Sequence, residues 1–190
     1  MSGNNRYKLV INAPMTLTFV AVCVLALVLS SVTKGRSDIL VFSVYRSSLS
    51  DPLTYVRFFC HIFGHADIDH LINNMLMILI LGPMLEEKYG SKLLLFVIGL
   101  TALVTGIVHF IFFPGSMLLG ASGIVFAYIV LASVSGFRRR EIPISFIIVA
   151  VVYLGEQIYQ GIFISDNVSH LTHVIGGVIG AICGFRSRRW

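Results

Sequence analysis

Charge is what this sequence most lacks. Only 12% of its 190 residues are Asp, Glu, Lys or Arg, against the roughly one-quarter usual in soluble domains, while 56% are apolar and the mean hydropathy is +0.88. So little charge cannot cover a water-facing surface, and lipid is the expected solvent. Cysteine pairing is also missing. Cys23, Cys60 and Cys183 lie far apart and form no CxxC, which argues against a disulfide framework or a thiolate zinc site and leaves apolar packing as their role. There is no internal repeat and no low-complexity tract. The net charge of +5 and pI near 9.3 do not call for nucleic acid, because Lys and Arg sit in short clusters between apolar runs, where they orient a chain in a membrane.

What is abundant is long apolar runs. Six of about the length that crosses a bilayer fall at 14–32, 68–85, 93–113, 120–136, 142–164 and 168–185, and helices are the form in which a span pairs its own backbone. The expected fold is therefore all-α, a six-helix membrane bundle in a single domain over residues 1–190. Arg6 and Lys8 precede the first run, but no small-x-small cleavage pattern follows it, so it is expected to stay as a span rather than leave as a signal peptide. Basic residues at alternate junctions (Arg6 and Lys8, Lys88 and Lys92, Arg138 to Arg140, Arg186 to Arg189) put both termini in the cytoplasm. The connection 33–67 breaks this pattern. It holds Lys34, Arg36, Arg46 and Arg57 on the outer side, among Tyr55, Phe58, Phe59, Ile62 and Phe63, and is expected to be ordered and partly embedded.

Polar side chains inside spans are costly and point to function. Counting a rise of about 1.5 Å per residue from the cytoplasmic end of each span puts Ser122, His70, Asn74 and His173 all roughly 18–24 Å up, in one layer nearer the outer face. Pro114-Gly115-Ser116 ends the third span, and helical sequence resumes only around Gly120. Ser122 thus opens a short fourth helix, whose N–H groups and positive dipole end favour a developing anion. A serine hydroxyl needs a base to become a nucleophile. His173 can serve, provided that Gly123 faces the small-residue stripe of Gly176 and Gly180, which would let two helices approach closely. His70 and Asn74, four residues apart on one helix face, offer hydrogen-bond donors to an oxyanion. The complementary set implies acyl transfer.

These residues resemble the rhomboid intramembrane serine proteases. Gly120-Ala121-Ser122-Gly123 matches the family's G-x-S-G, His173-x-x-Gly176-x-x-x-Gly180 its catalytic histidine and spaced glycines, and His70-x-x-x-Asn74 its oxyanion pair. His61 and His65 resemble its loop histidines, and Glu86-x-x-x-Gly90 the end of its second span. The resemblance implies a Ser122–His173 dyad, an oxyanion site of the Ser122 N–H with Gly120, His70 and Asn74, and no metal or other cofactor. It also implies transmembrane helices of other proteins as substrates, membrane lipid as surroundings, and the plasma membrane of a bacterium as location; it implies no oligomeric state. The chain departs from the family at Val56-Arg57, where a Trp-Arg pair is usual, and at Phe126, where the aromatic beside the histidine is often tyrosine. Glu156, Gln157 and Gln160, near the outer end of the fifth span, are expected to reach the interface rather than to form a lateral gate.

Three other readings compete. A zinc hydrolase would use His61, His65 and His70, but His61-Ile-Phe-Gly-His65 lacks the glutamate of H-E-x-x-H. A non-catalytic relative that binds transmembrane helices would typically lack the serine or histidine, and both are kept. A transporter would need a charge-paired relay through several spans, which is absent.

Overall fold

The computed structural model describes residues 10–134, 144–149, 151–152, 155, 159 and 167–187. Among them the regular structure is helical: α1 (Pro14–Thr33), a π-helical turn (Asp38–Phe42), α2 (Pro52–Cys60), a 3-10 turn (His61–Phe63), α3 (Ile68–Tyr89), α4 (Ser91–Phe112), α5 (Ser122–Val134), α6 (Ile144–Val149) and α7 (Asn167–Arg186). The helix ends are set by local chemistry. Pro14 opens α1, where its missing N–H costs nothing, and the Glu86 carboxylate accepts the N–H groups of Met15 at 2.8 Å and Thr16 at 2.9 Å and the Thr16 hydroxyl at 2.8 Å. Glu86 also accepts from the Ser91 hydroxyl at 2.7 Å. Asp67 caps α3 by accepting the His70 N–H at 2.7 Å. That helix stops at Gly90, whose φ of +78° suits glycine and lets α4 start at the next residue.

α1, α3 and α4 are each long and apolar enough to cross a membrane, whereas α5 is a shorter apolar helix of 13 residues, about 20 Å long. The molecule is apolar inside and out. Phe19, Ile78, Leu94, Val97, Ile124 and Leu131 fill the interior, while Val32, Ile80, Phe96 and Phe112 are more than half exposed. Such a surface suits hydrocarbon and not water. This is an integral membrane protein.

The connection between α1 and α3 is ordered. Phe58 and Ile62 are buried, and the Phe63 ring packs 5.3 Å from that of Phe19, while Tyr55 and Phe59 point outward. Two of its arginines are consumed inside the protein. Arg57, only 3% exposed, pairs with Asp51 at 3.2 Å, donates to the Leu40 carbonyl at 3.0 Å and lies 4.8 Å over the Tyr45 ring. Arg46 donates to the Phe110 carbonyl at 2.9 Å and covers the Phe110 ring.

α5 and α7 pack most extensively of all helix pairs among the described residues. Their register comes from small residues. A Cβ on Gly176 would lie 2.0 Å from the Gly123 carbonyl oxygen, and one on Gly180 would lie 2.2 Å from that of Ala127. Contacts that advance by four residues on both helices make the pair parallel. The expected fifth span falls largely outside the described residues, as do Glu156, Gln157, Gln160 and most of the basic residues that were expected to orient the chain.

Candidate active site

The link between α4 and α5 is pinned from three sides, which decides where Ser122 stands. Val44 and Leu118 exchange backbone hydrogen bonds at 2.9 Å in an isolated antiparallel bridge, the His109 ring Nε2–H donates to the Ser116 carbonyl at 3.1 Å, and the Gly120 N–H donates to the His61 carbonyl at 2.9 Å. Ser122 follows as the first residue of α5, so its N–H has no carbonyl one turn back within the helix. It is partly exposed, while its neighbours Ala121 and Gly123 are buried.

His70 faces this link. A Cβ on Gly120 would meet the His70 ring at 2.8 Å and 2.9 Å, and Gly120 has a φ of +130°, so conformation and clearance both require glycine. The Gly120 N–H is engaged with the His61 carbonyl, and the missing Cβ leaves room for the His70 ring. Asn74, one turn on from His70, is 7% exposed, and its amide Nδ2 is buried without a hydrogen-bond partner among the described residues. A buried, unpaired amide donor is costly.

On the other side lies α7. Thr172 closes over Gly123, with its methyl 3.2 Å from where a Cβ would stand, and Gly176 touches the Gly123 backbone. The ring of His173 stacks on that of Phe126 with centroids 4.3 Å apart and planes within 10°. Since α-helical side chains tilt toward the N-terminus, a Phe126 side chain rises toward the turn that holds Ser122. Nucleophile and base candidates therefore sit on two backbones that Gly123 and Gly176 hold in direct contact.

His61 and His65 serve the scaffold. The His61 ring is 1% exposed, its Nδ1–H donates to the Arg57 carbonyl at 3.2 Å and its Nε2 lies 3.2 Å from the Thr105 hydroxyl. His65 donates from Nδ1 to the Phe63 carbonyl at 3.1 Å and packs edge-on against His70 at 5.0 Å. Burial pushes both imidazoles down to about 4. Among the described residues no three His, Cys, Asp or Glu side chains converge as ligands would for a metal ion, so the zinc alternative finds no donor set there.

Residues 52–190 match the Rhomboid domain. The chain belongs to the rhomboid family. Its relatives include "Rhomboid protease GlpG" of Serratia proteamaculans, 26% identical over 180 residues that make up 93% of this chain and 63% of that protein. The protein of the same name from Haemophilus influenzae is 25% identical over 174 residues, 90% of this chain and 89% of the relative. "Rhomboid-related protein 1" of Caenorhabditis elegans is 31% identical over 143 residues, 68% of this chain and 39% of the relative. The chain thus spans less than two thirds of the Serratia and Caenorhabditis relatives.

Within this rhomboid chain, the two departures noted in the sequence have structural answers. Arg57 keeps an aromatic partner although Val56 precedes it, because Tyr45 lies under its guanidinium. Phe126 stacks on His173 without needing a hydroxyl. Tyr45, Asp67, His109 and Thr172 were missed in the sequence. Asp67, an N-cap residue just before an apolar run, carried a readable signal, as did His109, an ionisable group inside an apolar run; Tyr45 and Thr172 act through contacts distant along the chain.

Proposed function

We propose that this rhomboid protein is an intramembrane serine endopeptidase, with Ser122 as nucleophile and His173 as base. One observation carries the reading: the His173 ring stacks on Phe126, one turn from Ser122 on the same helix, where Gly176 and Gly123 bring the two backbones together. The names of the bacterial relatives agree with it. His173 takes the Ser122 proton as the hydroxyl attacks the scissile carbonyl, and later returns it to the leaving amine. The oxyanion receives hydrogen bonds from the Ser122 N–H, the His70 ring and the Asn74 amide. Water, admitted from the outer side, then hydrolyses the acyl-enzyme.

The substrate is a transmembrane segment of another protein, held among membrane lipids in the plasma membrane of a bacterium. A helix hides its carbonyls in i to i−4 hydrogen bonds, so the segment must unwind locally before attack. No cofactor is used. Co-expression with a panel of tagged single-span proteins tests this: at least one is cleaved by the wild type, in EDTA as well as without it, and none by Ser122→Ala. Cleavage that survives in Ser122→Ala, or is abolished by EDTA, would overturn the assignment.

A further inference from the structure

Four cations sit in the connection between α1 and α3, and the structure accounts for only two of them. Arg46 and Arg57 are held by carbonyls, rings and Asp51. The side chains of Lys34 and Arg36 are exposed and have no carboxylate, carbonyl or ring partner among the described residues. Both border one groove of about 670 Å³, whose walls are Leu29 and Val32 from the last turns of α1 and Leu40 and Val41 from the π-helical turn. The groove lies at the end of α1 opposite the Glu86 tie.

This groove joins two chemistries in one place. Its walls are aliphatic, with Val32 76% and Leu40 52% exposed, and its rim is cationic with no carboxylate among the lining residues. The neighbouring groove of about 680 Å³ on the other side of Lys34 differs, because Asp38 and Asp67 line it and would repel an anion. The polar atoms at the groove floor are already committed: the Thr33 hydroxyl lies 3.1 Å from that of Ser37 and accepts the Ser37 N–H. An occupant must therefore present an anion to Lys34 and Arg36 and hydrocarbon to the walls.

We propose that this groove is a binding site for one anionic phospholipid, with its phosphate between Lys34 and Arg36 and an acyl chain along Leu29, Val32, Leu40 and Val41. The complementarity of charge and apolar wall selects a lipid over free phosphate, which would gain nothing from the aliphatic side, and over a neutral lipid, which would gain little from two unpaired cations. Lysine and arginine that merely snorkel to an interface need no groove.

Lipid retention, read by native mass spectrometry of the purified full chain, tests this independently of any protease activity. Given equal phosphatidylglycerol and phosphatidylcholine in the micelle, the wild type retains phosphatidylglycerol in preference. Lys34→Gln and Arg36→Gln each reduce the preference roughly fivefold, the scale of one basic residue at a charged membrane surface. Val32→Trp, which fills the groove without touching charge, lowers retention of phosphatidylglycerol as well, and millimolar inorganic phosphate does not displace it. Lys88→Gln, at the far end of α3, leaves the preference unchanged. Equal preference in the wild type and in Lys34→Gln/Arg36→Gln, loss to the same degree in Lys88→Gln, or full displacement by inorganic phosphate would each overturn the assignment.

Discussion

Around Ser122 most side chains are held by contacts that sequence spacing does not reveal. His70 reaches the link before Ser122 because Gly120 has no Cβ, and the Gly120 N–H donates to the His61 carbonyl. The stack of Phe126 on His173 makes a prediction at this scale. Ring stacking contributes about 0.5–1.5 kcal/mol beyond area burial, so Phe126→Leu should lower kcat about 2- to 12-fold with little change in KM, and Phe126→Tyr should keep most of the activity. Steady-state cleavage of one transmembrane substrate checks it, and an unchanged kcat in Phe126→Leu would remove the ring from the account. The sequence pointed to His173, His70 and Asn74 because ionisable and amide groups are rare in apolar helices, and to Ser122 because it opens a short helix after an interrupted link. The Tyr45 partner of Arg57 was not legible, since a stack between α2 and the irregular chain before it leaves no periodic trace.

Among the elements, the α5–α7 pair organises the candidate site. Spacing by four on α7 announced a close approach with Gly123 as the expected partner, and the structure matches Gly176 with Gly123 and adds Gly180 with Ala127 in parallel register. A methyl at Gly180 must push against backbone, which cannot yield as a side chain can. Gly180→Ala should therefore destabilise by about 1–3 kcal/mol or more and reduce activity with it. Gly99 on α4 is the control, since nothing lies within 4 Å of its would-be Cβ; Gly99→Ala should be neutral or stabilise by up to about 1 kcal/mol. Thermal unfolding in detergent distinguishes them, and equal midpoints for the two variants would contradict close backbone packing. Helix positions were readable from apolar length: the first run, 14–32, became Pro14–Thr33, and the last, 168–185, became Asn167–Arg186. The π-helical turn and α2 were not separately foreseen, because a connection of mixed polarity carries neither a 3.6-residue stripe nor a long apolar run.

Over the whole molecule, distant ties decide stability more than helix propensity does. Glu86 joins the start of α1 to the end of α3 through three hydrogen bonds, and a fourth ties it to Ser91 at the start of α4. Glu86→Ala leaves those donors without their acceptor and should cost about 3 kcal/mol, and the freed α1 should expose the buried Cys23 thiol to alkylation. Unchanged Cys23 labelling would show that α1 is held by other means. Burial of His61 and His65 adds a pH dependence. Both have folded pKa values of about 4 against about 6.5 in an unfolded chain, so the unfolded state binds more protons between those values. Their contribution to stability is full above about pH 6.5 and is lost as the pH falls toward 4. A midpoint that stayed constant from pH 7 to 4.5 would contradict their burial. The all-α membrane architecture was plain from hydropathy, because a lipid solvent leaves few ways to satisfy a backbone.

The central claim, that Ser122 is a nucleophile activated by His173, is tested most directly by fluorophosphonate labelling of the protein in lipid nanodiscs, with the adduct located by peptide mass. The account predicts a single adduct on Ser122 in the wild type and none in Ser122→Ala or His173→Ala, with both variants folded by thermal melt. Equal labelling of all three proteins, or an adduct on another residue, would contradict it.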